Sequence, residues 1–147
     1  MEPPTFLELP ITIAPSRPLP GRHEEDLEHL AGAARGELRI PRCLDCDRQF
    51  WPSGPVCRFC FGRHLDWVSD PGTGVVNSWV KAHKQYFEGD VVPYVVVQVT
   101  LDSGPRLTTS WTGDRDPVVG EPVAVAFFSV TKGDDQRWLP QFGPAAP

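Results

Sequence analysis

The chain has 147 residues, 22% charged and 40% hydrophobic, with a net charge of −5 and a pI near 5.3. That is an ordinary globular composition for one domain, or for two small ones sharing a core. It excludes a membrane span, since no apolar run approaches about 18 residues, and it argues against a general attraction to nucleic acid.

Residues 1–22 carry six prolines, with Ile11 and Ile13 among scattered apolar side chains and no regular period. An extended or polyproline-like arm is expected, able to lie over a partner or to be disordered in the isolated chain. The start Met1-Glu2-Pro3-Pro4 has neither the basic nor the apolar region of a secretory signal. A reducing, cytoplasmic setting follows, where disulfides would be unexpected.

From about residue 23 to 36 the pattern is helical. Leu27, Leu30, Ala31 and Ala34 recur at i, i+3, i+4, i+7. Glu24, Glu25 and Asp26 open the segment and Arg35 closes it, as the helix dipole favours, and Gly36 is a stop signal. The apolar stripe needs a cover, from the chain's own residues or from another subunit.

Residues 37–70 hold the strongest signal. All four cysteines fall as Cys43-x2-Cys46-x10-Cys57-x2-Cys60, with a turn at Pro52-Ser53-Gly54-Pro55 between the pairs. Two such pairs can aim four thiolates at one point, as a closed tetrahedral Zn²⁺ site requires. One structural zinc per chain is the expectation. Iron in an S₄ site and two disulfides are the alternatives weighed against it. Arg39, Arg42, Arg48, Arg58 and Arg63 gather in and beside this region. They are read as a solvated ribbon surface or as a local anion site.

Residues 71–147 read as all-β after a turn-rich hinge at 69–74. Strands are expected at 75–83, 94–101, 106–111, 123–130 and near 138–142. In the first, Val76, Val80 and Ala82 share one face, and Trp79, Lys81 and His83 the other. Pro93 suits a strand start, where a missing N–H costs little. Five strands separated by turns suggest a small closed barrel of the oligonucleotide/oligosaccharide-binding (OB) type. The fold class expected is therefore mainly β, with a short N-terminal helix, a rubredoxin-like zinc ribbon and a five-stranded OB barrel.

These segments, in this order, resemble the zinc-ribbon plus OB-fold family catalogued as domain of unknown function 35. The resemblance rests on Pro41-Arg42-Cys43-x-x-Cys46, Pro52 to Cys57-x-x-Cys60, Leu65-x-Trp67 and Gly72-x-Gly74-x-Val76, and continues through Pro93-Tyr94-Val95-Val96, Leu101-Asp102-x-Gly104 and Val119-Gly120-x-Pro122-Val123. It covers roughly residues 24–142. Asp47 stands where the family commonly has glycine, and the proline-rich extension is a second departure. The resemblance implies an accessory subunit of a thiolase-superfamily enzyme: a thiolase, a thiolase-like aldolase of steroid side-chain breakdown, or an acyltransferase. It also implies that the chain helps hold acyl-CoA.

The residues fit that role by what they lack. The cysteines go to metal, no G-x-S-x-G occurs, and His23, His29, His64 and His83 have no nucleophile beside them. No catalytic residue is assigned, and the chain alone should not be an enzyme. Arg58 and Arg63, with Trp79 and Lys81, are the candidates for contacting CoA, since guanidinium groups pair well with phosphate. Leu27, Leu30, Phe59 and Phe61 are the candidates for the partner interface. The alternative is single-strand nucleic-acid binding, with Trp79, Tyr86 and Phe87 stacking bases beside Lys81 and Lys84. Glu88, Asp90, Asp102, Asp114 and Asp116 in the barrel loops weigh against it.

Overall fold

The computed structural model describes residues 6–12, 18–21 and 23–146. In chain order it contains β1 (Phe6–Thr12), a 3-10 turn (Glu24–Asp26), α1 (Leu27–Arg35), β2 (Leu38–Cys43), β3 (Leu65–Asp70), β4 (Thr73–Ala82), β5 (Tyr94–Leu101), β6 (Arg106–Ser110), β7 (Pro122–Lys132) and β8 (Asp135–Pro144). This is the expected mainly β architecture with one short helix.

β2 and β3 pair antiparallel and form the base of the ribbon. In the second half β4 pairs with β5, β5 with β6, and β7 with both β4 and β8, all antiparallel. A parallel bridge from Trp111 to Phe142 brings the end of β6 onto β8. The Thr112 N–H donates to the Phe142 carbonyl at 3.0 Å. The strands therefore run β4-β5-β6-β8-β7 and back to β4, a five-stranded Greek-key barrel. Gly72 and Gly74 let the chain enter it. Gly72 has φ +71°, and a Cβ there would sit 2.2 Å from Val125 Cγ1. A Cβ on Gly74 would sit 2.2 Å from the Thr100 carbonyl oxygen.

Val76, Val97, Val99, Leu101, Leu107, Val123, Phe127 and Phe142 are buried inside the barrel. The same cluster takes in Leu38 and Ile40 of β2 and Ala33 of α1. Ribbon base, helix and barrel thus share one core.

Two expectations change. The arm is not wholly irregular, because Phe6–Thr12 forms β1, a strand added parallel to the edge of β7. Residues 18–21 of the expected arm are irregular, and residues 1–5, 13–17 and 22 lie outside the described residues.

The alternation in β4 also shifts phase. A bulge between Val76 and Ser78 inserts an extra residue, so Val80 turns outward at 61% exposure while Trp79 packs against the core. A bulge reverses every side chain beyond it, and alternation in the sequence carries no mark of it.

In α1 the sequence leaves the cover of the apolar stripe open between the chain's own residues and another subunit. The helix buries His29, Gly32 and Ala33, so the leucine–alanine stripe does not cover the ribbon. Gly32 is what allows this, since a Cβ there would meet Arg39 Cγ at 2.3 Å. Leu27, Ala31 and Ala34 are exposed and Leu30 is half-buried.

Candidate metal centre and the surfaces around it

Each C-x-x-C pair forms the same tight knuckle. The Asp47 N–H returns to the Cys43 carbonyl at 2.8 Å, and the Phe61 N–H to the Cys57 carbonyl at 3.0 Å. The residue after each second cysteine takes a left-handed backbone, Asp47 at φ 61° and Phe61 at φ 62°. Glycine adopts that conformation freely. Aspartate tolerates that conformation, whereas a bulky phenylalanine is strained in it.

The four Sγ atoms lie within 4.8 Å of one another. Cys43 and Cys60 are 3.5 Å apart, and Cys46 and Cys57 are 3.7 Å apart. A Zn–S bond of about 2.3 Å gives a tetrahedron edge of about 3.8 Å, so the thiols already stand at the spacing of an S₄ metal site. Backbone N–H groups of Phe59 and Gly62 point at the sulfurs of Cys57 and Cys60, at 3.3 and 3.4 Å. Burial pushes the Cys57 thiol up, but the amides of Cys60 and Phe59 and the neighbouring thiols more than offset this and leave it at about 7. At Cys60 the Gly62 amide pulls the other way, yet the Cys43 thiol, burial and the remaining thiols push it up to about 12. Four thiolates this close repel one another, and only a bound cation keeps them all deprotonated. The four cysteines are positioned to bind one metal ion, with no open coordination position for a substrate. Among the described residues no second group of three or more His, Cys, Asp or Glu converges in this way.

Around the centre the ribbon exposes three large apolar side chains among its charged ones. Leu44, Phe59 and Phe61 are 54%, 47% and 76% exposed. The Arg48 and Arg58 guanidinium carbons sit 4.8 and 5.7 Å from the centre of the Phe59 ring, in cation–π contact. Arg58 also donates to the Trp51 carbonyl at 3.0 Å.

The four candidate CoA contacts are not brought together. Arg58 lines a cleft of about 540 Å³ between the ribbon and the β5–β6 hairpin, with Arg48, Phe59 and Arg106. Lys81 lines a separate hollow of about 380 Å³, and its ammonium lies 2.7 Å from the Asp116 carboxylate. Arg63 is exposed at the ribbon surface. Trp79 packs partly buried against the barrel core, so it does not offer the open face that base stacking needs. Arg106 was missed because only the fold brings the hairpin to the ribbon.

One buried carboxylate joins the two halves. Asp70 accepts from the Gly72 N–H at 2.9 Å, Ser103 Oγ at 2.5 Å and Gln49 Nε2 at 3.4 Å. Gln49 belongs to the ribbon and Ser103 to the β5–β6 turn. His29 is another buried polar residue in the joint. It is buried, its Nδ1–H donates to the Arg39 carbonyl at 2.9 Å, and its ring lies 4.2 Å from that of Trp51.

The sequence around this centre matches known families in the same order as the structure. Residues 30–66 match the ChsH2 rubredoxin-like zinc ribbon domain, and residues 67–128 the ChsH2 C-terminal OB-fold domain. The chain belongs to the DUF35 family of zinc-ribbon and OB-fold proteins. A DUF35 domain-containing scaffold protein of Methanothermobacter thermautotrophicus is 32% identical, over 69% of this chain and 80% of that protein. A "Probable enoyl-CoA hydratase alpha subunit" of Thermomonospora curvata is 34% identical over 89% of this chain. The chain spans only 41% of that relative's length.

Among solved structures, a chain of the "Ltp2-ChsH2(DUF35) aldolase" superposes with a TM-score of 0.75 at 32% identity, covering 87% of this chain and all of that one. A DUF35 protein of Sulfolobus solfataricus shares the fold, with a TM-score of 0.56 at 15% identity over 81% of this chain and 84% of that one. Among the described residues of this DUF35 chain, no helix is long and apolar enough to cross a membrane.

Proposed function

We propose that this chain is a non-catalytic accessory subunit that assembles with a thiolase-superfamily enzyme, a thiolase-like aldolase above all, and helps hold its acyl-CoA substrate. The observation that carries the reading is the likeness, over 87% of this chain and all of that one, to the DUF35 chain of the Ltp2-ChsH2 aldolase. The ribbon holds one structural zinc, which the sulfur tetrahedron fits, and zinc supplies folding energy there and no chemistry. A cytoplasmic setting suits four cysteines kept reduced for metal. In this reading the ester's phosphates lie along the cleft that carries Arg48, Arg58 and Arg106, since clustered guanidinium groups pair with phosphate oxygens. Arg63, at the ribbon surface, is a second contact, and Trp79 and Lys81 are further from that path.

The enzyme docks on the ribbon tip. Phe61 supports this assignment twice over: it is an exposed aromatic, and it occupies a left-handed position where glycine would cost about 1 kcal/mol less. Strain kept at an exposed aromatic argues for a use of that side chain.

The test mixes the purified chain with the thiolase-superfamily enzyme that co-purifies with it from its host. Activity is expected only in the mixture. Phe61→Asp should weaken assembly by about thirtyfold, a hot-spot loss, with zinc content intact. Phe61→Gly should weaken it similarly while leaving the melting temperature unchanged or raised. Turnover of an acyl-CoA by the isolated chain would overturn the accessory reading. Full co-elution of both variants would overturn the tip as the docking site.

A further inference from the structure

Arg35 and Arg39 pair with Glu28, Arg42 reaches towards Asp47, and Arg115 pairs with Glu121. Arg48, Arg58 and Arg106 differ. Among the described residues no carboxylate stands in ion-pair range of any of the three. All three are exposed, and all line the one cleft of about 540 Å³ between the ribbon and the β5–β6 hairpin.

These guanidinium groups are held in place without being neutralised. Arg48 and Arg58 share the Phe59 ring, and Arg58 also donates to the Trp51 carbonyl at 3.0 Å. Arg106 comes from the hairpin wall. Three like charges gathered in one cleft repel one another, although the chain as a whole carries −5. An anion with several negative groups relieves that repulsion, and phosphate matches the guanidinium fork.

The rest of the lining decides which part of a CoA ester fits. It contains no leucine, isoleucine, valine or methionine, so it offers no apolar channel to an acyl chain. Trp51 and Phe59 supply aromatic surface for a purine. A diphosphate alone can occupy two of the guanidinium forks, and the third calls for a further phosphate. Asp47 lines the same cleft with its side chain 86% exposed. Its contact to Arg42 Nε, at 3.9 Å, is too long for a hydrogen bond. The Asp47 charge therefore opposes an incoming phosphate.

Given the acyl-CoA reading above, on which this rests, we infer that the cleft reads the phosphorylated nucleotide head of the ester, 3′-phosphate included, and is blind to the acyl group, while Asp47 at its rim holds the affinity down. The chain then serves esters of any acyl length, and choice of the acyl group falls to the partner enzyme.

The experiment titrates the zinc-loaded full chain calorimetrically with CoA, octanoyl-CoA, dephospho-CoA and inorganic pyrophosphate. CoA and octanoyl-CoA should bind equally well. Dephospho-CoA, which lacks the 3′-phosphate, and pyrophosphate should bind about tenfold more weakly or worse, as for a lost charge-assisted contact. Arg106→Gln should weaken CoA by about the same tenfold, and Arg58→Gln stands in for it if that variant misfolds. Asp47→Asn should tighten CoA about fivefold, the effect of one solvent-screened charge at contact range. Zinc content should not change in any variant. Octanoyl-CoA that binds more tightly than CoA, as burial of its methylenes would require, would overturn the inference. So would a chain that binds no CoA, pyrophosphate that binds as well as CoA, or a CoA affinity indifferent to the arginines. An Asp47→Asn variant with unchanged affinity would overturn the part given to Asp47. All of these are read as heat on the isolated chain, whereas the accessory reading is decided by turnover, so the two fail separately.

Discussion

The ribbon and the barrel solve the same problem with different materials. The barrel closes its strands around a core of valines, leucines and phenylalanines, and nearly every inward side chain contributes area removed from water. The ribbon beyond β2 and β3 has a core of only Cys43, Phe50 and Cys57, with Cys46 and Leu65 against it. So few apolar side chains cannot offset the entropy of ordering the two knuckles and the proline turn. Metal binding has to supply the difference, and the two halves should respond to insult in different ways.

The largest expected effect comes from removing the metal. Structural zinc contributes roughly 10–16 kcal/mol of apparent free energy in small zinc-dependent folds. Chelation, or Cys57→Ala, should unfold the ribbon from about residue 43 to 64 and leave β4–β8 closed. The check is amide NMR with and without zinc. Dispersion should vanish for the knuckle residues and persist for Val97, Val99 and Leu107. A ribbon that keeps its dispersed resonances without metal would mean that its small core suffices, and the contrast drawn above would fail.

A smaller effect tests how the halves are joined. Asp70 ties the Gln49 side chain of the ribbon to Ser103 of the barrel hairpin. Loss of hydrogen bonds to a buried charged group, with the donors left unmatched, costs about 1–3 kcal/mol. Asp70→Ala should therefore lower the denaturant midpoint by an amount in that range while the zinc stoichiometry stays at one. A loss below about 0.5 kcal/mol, the scale of an ordinary surface substitution, would leave the join to the apolar contact of Leu38 and Ile40 with the barrel.

What could be read from the sequence follows the same division. The metal centre was legible because its chemistry is local: the spacing from Cys43 to Cys60 fixes where four sulfurs can go. Residues 94–101 were legible as a strand because a strand buried on one face alternates, and Val97, Val99 and Leu101 are buried while Val95, on the same face, is half-buried. Legibility failed where a feature depends on partners far away in the chain. The bulge after Val76 re-aims Trp79 and Val80, and it exists only as a mismatch between β4 and β5. The outward stripe on α1 follows from Gly32 fitting against Arg39, which leaves the leucines on the wrong side for the ribbon. β1 was unreadable for another reason. Prolines near both ends hide a strand that takes its register from β7, and a strand at a sheet edge tolerates proline. Asp47 could have been read as a left-handed position from its place after the knuckle, and Phe61 only by analogy with it.

The last and smallest expected effect lies in the joint, at His29. Burial pushes the imidazole below its usual range, against the opposing influence of the Arg39 carbonyl and the Asp26 charge. The folded protein therefore keeps it neutral, with Nδ1–H donating to Arg39 and the ring against Trp51. A base whose affinity for protons is lowered by folding leaves stability unaffected above the unfolded value near 6.5. Below that pH the unfolded chain takes up a proton that the folded chain refuses, so stability falls with pH until the depressed folded value is passed. The slope for one proton is at most about 1.4 kcal/mol per pH unit. His29→Gln keeps a hydrogen-bond donor but cannot titrate, and it should be less stable than wild type by roughly 1 kcal/mol at pH 7.5, where the ring packing is lost. As pH drops from 6.5 towards 5 the wild type should lose stability faster, and the gap between the two should narrow. Carboxylates elsewhere, such as Glu121 beside Arg115, titrate in both proteins and cancel in the difference. Paired denaturant titrations of zinc-loaded protein at each pH measure it. A gap that stays constant from pH 7.5 to 5 would mean that His29 binds its proton equally well in the folded and the unfolded chain, and a gap that widens would make its place in the joint that of a cation beside Asp26.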